Sequence, residues 1–215
     1  MKVALFDLDG TVVDSAPDLA GTANDMRAAR RLSPLPYADL RCMVGSGARG
    51  MVGVAFGLGP GDDGFEALKD EFLDRYQRRL LQATTVFPDM EPVLQRLEAE
   101  GRPWGIVTNK HARFALPLIE GLGLHRRAAV QVYGDTTPHA KPHPEPLLEA
   151  ARRLGVAPAD CVYVGDDLRD VQAGRAAGMR TVAAAWGYLG AGEAIEAWGA
   201  DGIATRPEDL WRHWA

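Results

Sequence analysis

Short apolar runs alternating with longer amphipathic stretches leave this chain few architectures to choose from. Residues 2–8 (KVALFDL), 104–108 (WGIVT), 129–133 (AVQVY), 161–165 (CVYVG) and 180–184 (RTVAA) read as strands. Helical patterns fill the intervals at 89–100, 112–122, 144–154 and 168–178. Strands that are apolar on both faces are buried on both, and strand–helix–strand order places neighbouring strands parallel. The expected fold is α/β, a doubly wound parallel sheet. A weaker strand at Gly202-Ile203-Ala204 and a short helix from Pro207 complete the pattern.

Residues 16–83 break this rhythm, with helical patterns and no convincing strand. Phe65, Leu68, Phe72 and Tyr76 recur at spacings of three and four, which marks one apolar helix face and is read as core packing. Gly57-Leu58-Gly59-Pro60-Gly61 separates two helices. The chain returns to the sheet through residues 84–88 (TTVFP). The expectation is thus a Rossmann-like sheet with a small all-helical domain inserted after the first strand.

Composition narrows the function classes. Lys plus Arg number 24 against 29 for Asp plus Glu, giving a formal charge of −5, which argues against a general nucleic-acid binder. No apolar run approaches membrane-spanning length, and the first residues read as a strand rather than a signal peptide. The two cysteines, Cys42 and Cys161, lack metal-ligand spacing and are read as reduced, buried thiols of a cytoplasmic protein.

In an open parallel sheet, ligands bind at the carboxyl ends of the strands. That rule gathers Asp7-Leu8-Asp9-Gly10-Thr11, Thr108-Asn109-Lys110, Lys141 and Asp166-Asp167-Leu168-Arg169-Asp170 at one sheet edge. Carboxylates so gathered repel one another unless a cation joins them. Oxygen ligands with room for water and a substrate phosphate suit Mg²⁺.

These four motifs, in this order, resemble the haloacid dehalogenase-like superfamily of phosphotransferases over essentially the whole chain. The resemblance implies that Asp7 is a nucleophile forming an aspartyl phosphate. Asp9 would be the general acid/base, with its backbone carbonyl on the metal. Thr108 and Lys141 would bind the transferring phosphoryl group, and Asp166 would complete the Mg²⁺ ligands with Asp7. Asp167 and Asp170 would support the metal's surroundings or position Lys141. Gly10 lets the backbone pass close to the phosphate, Thr11 holds that turn, and Asn109 and Lys110 are further phosphate or substrate contacts. Residues 1–15 and 84–215 would form the catalytic core, and residues 16–83 a helical cap.

The insert resembles the cap of the phosphoglycolate phosphatase and β-phosphoglucomutase branches. Residues 44–52 (VGSGARGMV) resemble its substrate-facing loop, where Arg49 would read a second anionic group; the alternative for Arg49 is a surface salt bridge. "VTNK" and "WGY" lean towards phosphoglycolate phosphatases, whereas "GARGMVGVAFGL", "FLDRYQ" and "GDDLRD" also resemble N-acetylmuramic acid 6-phosphate phosphatases. A β-phosphoglucomutase-like phosphotransferase stays open. A non-catalytic phosphate-binding protein is disfavoured by the intact set of motifs, and a dehalogenase by Asp9. The expected partner is a small phosphorylated metabolite, with neither nucleic acid nor membrane, and the chain is expected to be a monomer or homodimer. Asp14 is read as a turn residue at the start of the cap and Trp186-Gly187-Tyr188 as packing at the core's rim. His111, His139 and His143 are read as loop histidines without zinc spacing.

Overall fold

The computed structural model describes residues 3–214. Six strands form the main sheet: β1 (Val3–Phe6), β4 (Trp104–Val107), β5 (Val130–Val132), β6 (Cys161–Gly165), β7 (Arg180–Ala184) and β8 (Gly202–Ala204). Their order is β5-β4-β1-β6-β7-β8, and every neighbouring pair is parallel. All six expected strands therefore form; Lys2, included in the first expectation, lies outside the described residues. β1 is central, so its carboxyl end faces the loops after both β4 and β6.

The period of two along β1 divides the core. Ala4 and Phe6 join one apolar cluster with α5 (Met90–Ala99) and α6 (Ala112–Gly121). Val3 and Leu5 face the opposite layer, where α7 (Glu145–Leu154) packs and α8 (Leu168–Ala176) contributes Ala173. Alternate side chains of a strand point to opposite faces, so both layers are apolar and the strand reads as a continuous run. The C-terminal helix expected from Pro207 is a 3₁₀ helix, Pro207–His213.

A second, two-stranded ribbon was not legible as such. β2 (Val13–Asp14) pairs antiparallel with β3 (Thr85–Val86), Val13 opposite Val86 and Asp14 opposite Thr85. Between them lie α1 (Ala16–Ala29), α2 (Tyr37–Arg41), α3 (Gly47–Phe56) and α4 (Phe65–Arg79). Two residues per strand are too few to show a period in sequence. Buried Asp18 ties the ribbon's two sides together: its carboxylate accepts from Ala83 N, Thr84 N and Thr84 Oγ1 at 2.7–3.1 Å.

α4 carries the stripe seen in the sequence. Phe65, Phe72 and Tyr76 are at most 2% exposed, while Leu68 is half-buried against the same core. Burying one such side chain is worth about 1.5–3 kcal/mol, more than the few tenths supplied by each surface ion pair along the helix. Among the described residues no helix is long and apolar enough to cross a membrane. The cysteine expectation holds for Cys161, which is buried, but not for Cys42, which is half-buried just after α2; both are free thiols.

Candidate active site

At the carboxyl edge of the sheet, β1 delivers Asp7, whose N–H donates to Val164 O of β6 at 2.9 Å. The loop after β5 brings Lys141, 2% exposed at its side chain, to 2.9 Å from Asp7 Oδ1 and 2.7 Å from Asp170 Oδ1. The ammonium's directed hydrogen bonds go to Val107 O, Tyr163 Oη and Asp170 Oδ1. An ammonium has three hydrogens, so Asp7 Oδ1 is attracted by charge yet is left buried without a directed donor. Burial pushes the Asp7 carboxyl up to about 7; Lys141 pulls it down, and Asp170 and Asp9 push it up. Burial opposes the Lys141 charge, but Asp170 and Asp7 outweigh it and hold the ammonium protonated.

Asp166 stands beside this pair. Thr11 Oγ1 donates to its Oδ1 and Tyr188 N to its Oδ2, both at 2.8 Å. Burial, then the charges of Asp7 and Asp170, drive its carboxyl well above the usual range. Gly10 sits at φ +84°, and a Cβ there would lie 2.1 Å from Asp166 Oδ2. The close approach that requires glycine is thus made by Asp166. The same carboxylate rules out a Cβ at Gly187, which would meet Asp166 Cβ at 2.1 Å. Trp186 and Tyr188, read as packing at the core's rim, fix the opening motif: Trp186 Nε1 donates to Thr11 O at 3.0 Å and Tyr188 Oη donates to Asp14 at 2.9 Å.

Asp9 occupies a separate environment. Ser15 Oγ donates to its Oδ1, and Lys110 Nζ lies 3.0 and 3.1 Å from its two oxygens. Lys110 also donates to Tyr76 Oη of α4 at 2.8 Å. Burial disfavours the Lys110 charge, but Asp9 and Tyr76 more than compensate. Lys110, expected as a phosphate or substrate contact, lines the cavity and is the counter-ion of Asp9. Asn109 likewise serves the loop: its amide exchanges two 2.9 Å hydrogen bonds with the backbone of Lys141. Thr108 is buried at the cavity floor and its Oγ1 accepts from Lys110 N at 3.1 Å.

The adjacent acidic pair divides its work. Asp170 meets Lys141 through one oxygen and donates nothing; its other oxygen accepts from Asp167 N at 3.1 Å. Asp167 caps α8 and binds Arg169, whose Nη2 also donates to Gly45 O on the loop before α3. Ser15, Tyr163 and Asp18 were not singled out in the sequence, and Tyr76 was read only as core packing and Arg169 only as a member of its cluster. Their types are common, and only spatial neighbours reveal their part.

The resulting cavity has a volume of about 600 Å³. Asp7, Asp9, Thr108, Lys141 and Asp166 lie on its floor, while α3 and α4 supply Arg49, Lys69 and Phe72 to the facing wall. Arg49 is exposed and forms no ion pair among the described residues, so the surface salt bridge considered for it is absent. Asp7, Asp166 and Asp170 present one carboxylate oxygen each within 4.8 Å of one another. Three carboxylates against one lysine, with an orphaned oxygen on Asp7, fit a hard divalent cation bound through oxygen.

A doubly wound parallel sheet whose carboxyl edge gathers carboxylates and a lysine in one cavity has the layout of an α/β enzyme, with its site at the strand ends. The chain belongs to the haloacid dehalogenase-like hydrolases, whose family description matches residues 1–178. It is 48% identical over 210 residues to a phosphoglycolate phosphatase of Xanthomonas campestris pv. campestris, covering 98% of this chain and 95% of that one. It is also 42% identical over 210 residues to an N-acetylmuramic acid 6-phosphate phosphatase of Pseudomonas putida, covering 98% of this chain and 94% of the relative. Among solved structures, a predicted phosphoglycolate phosphatase from Haemophilus somnus superposes with a TM-score of 0.86 at 26% identity, over 100% of this chain and 98% of that one.

Proposed function

We propose that this phosphatase hydrolyses a small, carboxylate-bearing phosphate monoester through a phosphorylated Asp7, with Mg²⁺ as its metal. One observation carries the reading: the Asp7 carboxylate lines the cavity, and its buried Oδ1 has no directed donor although Lys141 Nζ lies 2.9 Å away. Its lone pair is available, and the adjacent ammonium offsets repulsion by an anionic phosphate. In the first displacement an Asp7 oxygen bonds to phosphorus as the bond to the substrate oxygen breaks, and Asp9 protonates that leaving oxygen. Thr108 and Lys141 hold the phosphoryl oxygens. In the second, Asp9 takes a proton from water as that water attacks phosphorus, returning Asp7 and releasing inorganic phosphate. Asp7, Asp166 and the Asp9 carbonyl would hold Mg²⁺, which supplies positive charge where the phosphate approaches. Asp170 and Asn109 keep Lys141 in place, and Lys110 keeps Asp9 in place.

Residues 16–83 act in this reading as a cap, with the β2–β3 ribbon and Asp18 at its base. Arg49 reads the substrate's carboxylate across the cavity from Asp7. A second reading, hydrolysis of N-acetylmuramic acid 6-phosphate, is favoured by the cavity of about 600 Å³. That volume is in the range of pockets for drug-sized ligands, about 300–1,000 Å³, and exceeds the need of a two-carbon acid phosphate. We place the enzyme in the cytoplasm, where its two free thiols stay reduced. The deciding experiment compares kcat/KM for 2-phosphoglycolate, N-acetylmuramic acid 6-phosphate, hexose 1-phosphates and p-nitrophenyl phosphate in Mg²⁺. A preference for either carboxylate-bearing ester supports the reading. A preference for hexose 1-phosphates, with transfer between positions on the sugar, would assign the chain to a mutase.

A further inference from the structure

The loop that presents Lys141 also gathers three ligating side chains that do not line the cavity. His139 Nδ1 lies 2.8 Å from Glu145 Oε2, and His143 Nδ1 lies 3.8 Å from the same oxygen. The two imidazole rings stack, with centroids 4.4 Å apart and planes at 29°. One ligand atom from each of the three residues lies within 4.8 Å of the other two. Their side chains are 62%, 49% and 36% exposed, so apolar burial does not explain the clustering. Among the described residues Glu145 has no Lys or Arg ion-pair partner; its only such partners are the two histidines. The backbone holds the group in place, with Thr137 Oγ1 donating to His139 O at 2.8 Å and Glu145 opening α7.

We propose that His139, His143 and Glu145 form a binding site for a divalent d-block cation such as Zn²⁺ or Cu²⁺, separate from the oxygen-lined cavity. Two imidazoles and a carboxylate match the preference of these ions, whereas Mg²⁺ favours oxygen alone. Ligands bonded at about 2.0–2.2 Å to one ion lie at most about 4.4 Å apart. Both separations from Glu145 Oε2 fall inside that limit. The hydrogen bond from Glu145 N to His143 Nδ1 is long, at 3.3 Å, and exposed, so a metal replaces it at little cost. His139 and His143 stand two residues on either side of Lys141. An ion between them therefore ties both flanks of the loop that presents the lysine.

The test uses the intact protein in excess Mg²⁺, which occupies the cavity's oxygen ligands. Zn²⁺ titrated calorimetrically should bind with a stoichiometry of one, and stoichiometric Cu²⁺ should give an electron paramagnetic resonance spectrum split by two imidazole nitrogens. His139→Gln should weaken Zn²⁺ binding at least tenfold and leave one nitrogen in the Cu²⁺ spectrum. The double variant His139→Gln/His143→Gln should abolish both signals. Both variants should keep Mg²⁺-supported turnover of p-nitrophenyl phosphate within twofold, since neither residue lines the cavity. Absence of Zn²⁺ binding to the wild type, unchanged Zn²⁺ affinity in the double variant, or a Cu²⁺ spectrum without nitrogen splitting would overturn the proposal. The binding readouts stand whether or not the phosphatase substrate is correctly assigned.

Discussion

On the floor of the cavity Lys141 is 2% exposed and meets two carboxylates within 2.9 Å, whereas on the facing helices Arg49 is exposed and unpaired among the described residues. The floor is over-determined. Asp7, Asp166 and Asp170 are each fixed by strand ends, an ammonium or backbone donors, and Asp170 holds Lys141 while joining the α8 cap. The helical wall offers cations on long, flexible stems: Lys69 is paired with Glu66, whereas Arg49 has no partner among the described residues. Two demands are thus separated in space. Chemistry needs fixed geometry and desolvated charge, which a sheet edge provides. Selectivity needs adaptable contacts, which an inserted helical unit can vary without disturbing the sheet. Arg169 joins the two regions, holding Asp167 on one side and Gly45 O on the other.

The largest effect should come from breaking the floor. Asp7→Asn should abolish turnover of every ester and leave no phosphorylated peptide after acid quench. Asp9→Asn should lower turnover of alkyl phosphates about 10²–10⁴-fold, the usual worth of general acid–base help. With p-nitrophenyl phosphate, whose leaving group needs no proton, the Asp9→Asn enzyme should release a burst near one equivalent and then stall. Mass spectrometry should find the phosphate on the peptide containing Asp7. A burst from Asp7→Asn but not from Asp9→Asn would exchange the two roles.

A smaller effect should mark the wall. Arg49→Ala removes a charge-assisted contact worth about 1.5–3 kcal/mol, so kcat/KM on a carboxylate-bearing substrate should fall about 10- to 150-fold. Turnover of p-nitrophenyl phosphate should change little. Equal losses on both substrates would move Arg49 from substrate selection to the folding of the wall, erasing the contrast between the regions.

The smallest effect is on stability, and its sign follows from Asp7. Its carboxyl titrates near 7 in the folded protein against 3.8 for an ordinary side chain. Between those values the folded state retains a proton that the unfolded chain has lost. Metal-free protein therefore loses stability as pH rises from about 4 to about 7, and the loss is complete above that window. Asp166, also raised, acts in the same direction. Mg²⁺ on these carboxylates would take over the proton's role, so its gain in Tm should be larger at pH 8 than at pH 5.5. For a chain of this length each kcal/mol corresponds to about 2–4 °C. A Tm gain that is equal at both pH values, or larger at pH 5.5, would show that these carboxylates do not hold the cation.

Much of the scaffold was legible because its signals are local. Each strand of the main sheet announces itself as an apolar run, and Phe65, Phe72 and Tyr76 mark their helix by spacing alone. The candidate site was legible where chemistry repeats a residue type at a strand end, as at Asp7, Asp9 and Asp166. The β2–β3 ribbon was not, since two residues at 13–14 and two at 85–86 carry no periodicity. His139 and His143 looked like unrelated loop residues because their common partner, Glu145, lies on the first turn of a helix.

Sequence by itself determined that this chain folds as a doubly wound sheet with acidic strand ends and a helical insert, because hydrophobic period and motif order are properties of neighbours along the chain. Tertiary structure alone decided the pairing of charges. It paired Lys110 with Asp9, Asn109 with the Lys141 backbone, and Tyr188 N with Asp166. It also showed that a Cβ at Gly10 would collide with Asp166. Coulomb energy and hydrogen bonding act over a few ångströms of space and do not register separation along the chain. Lys110 lies 101 residues from the carboxylate it pairs with, so only the folded chain could assign it.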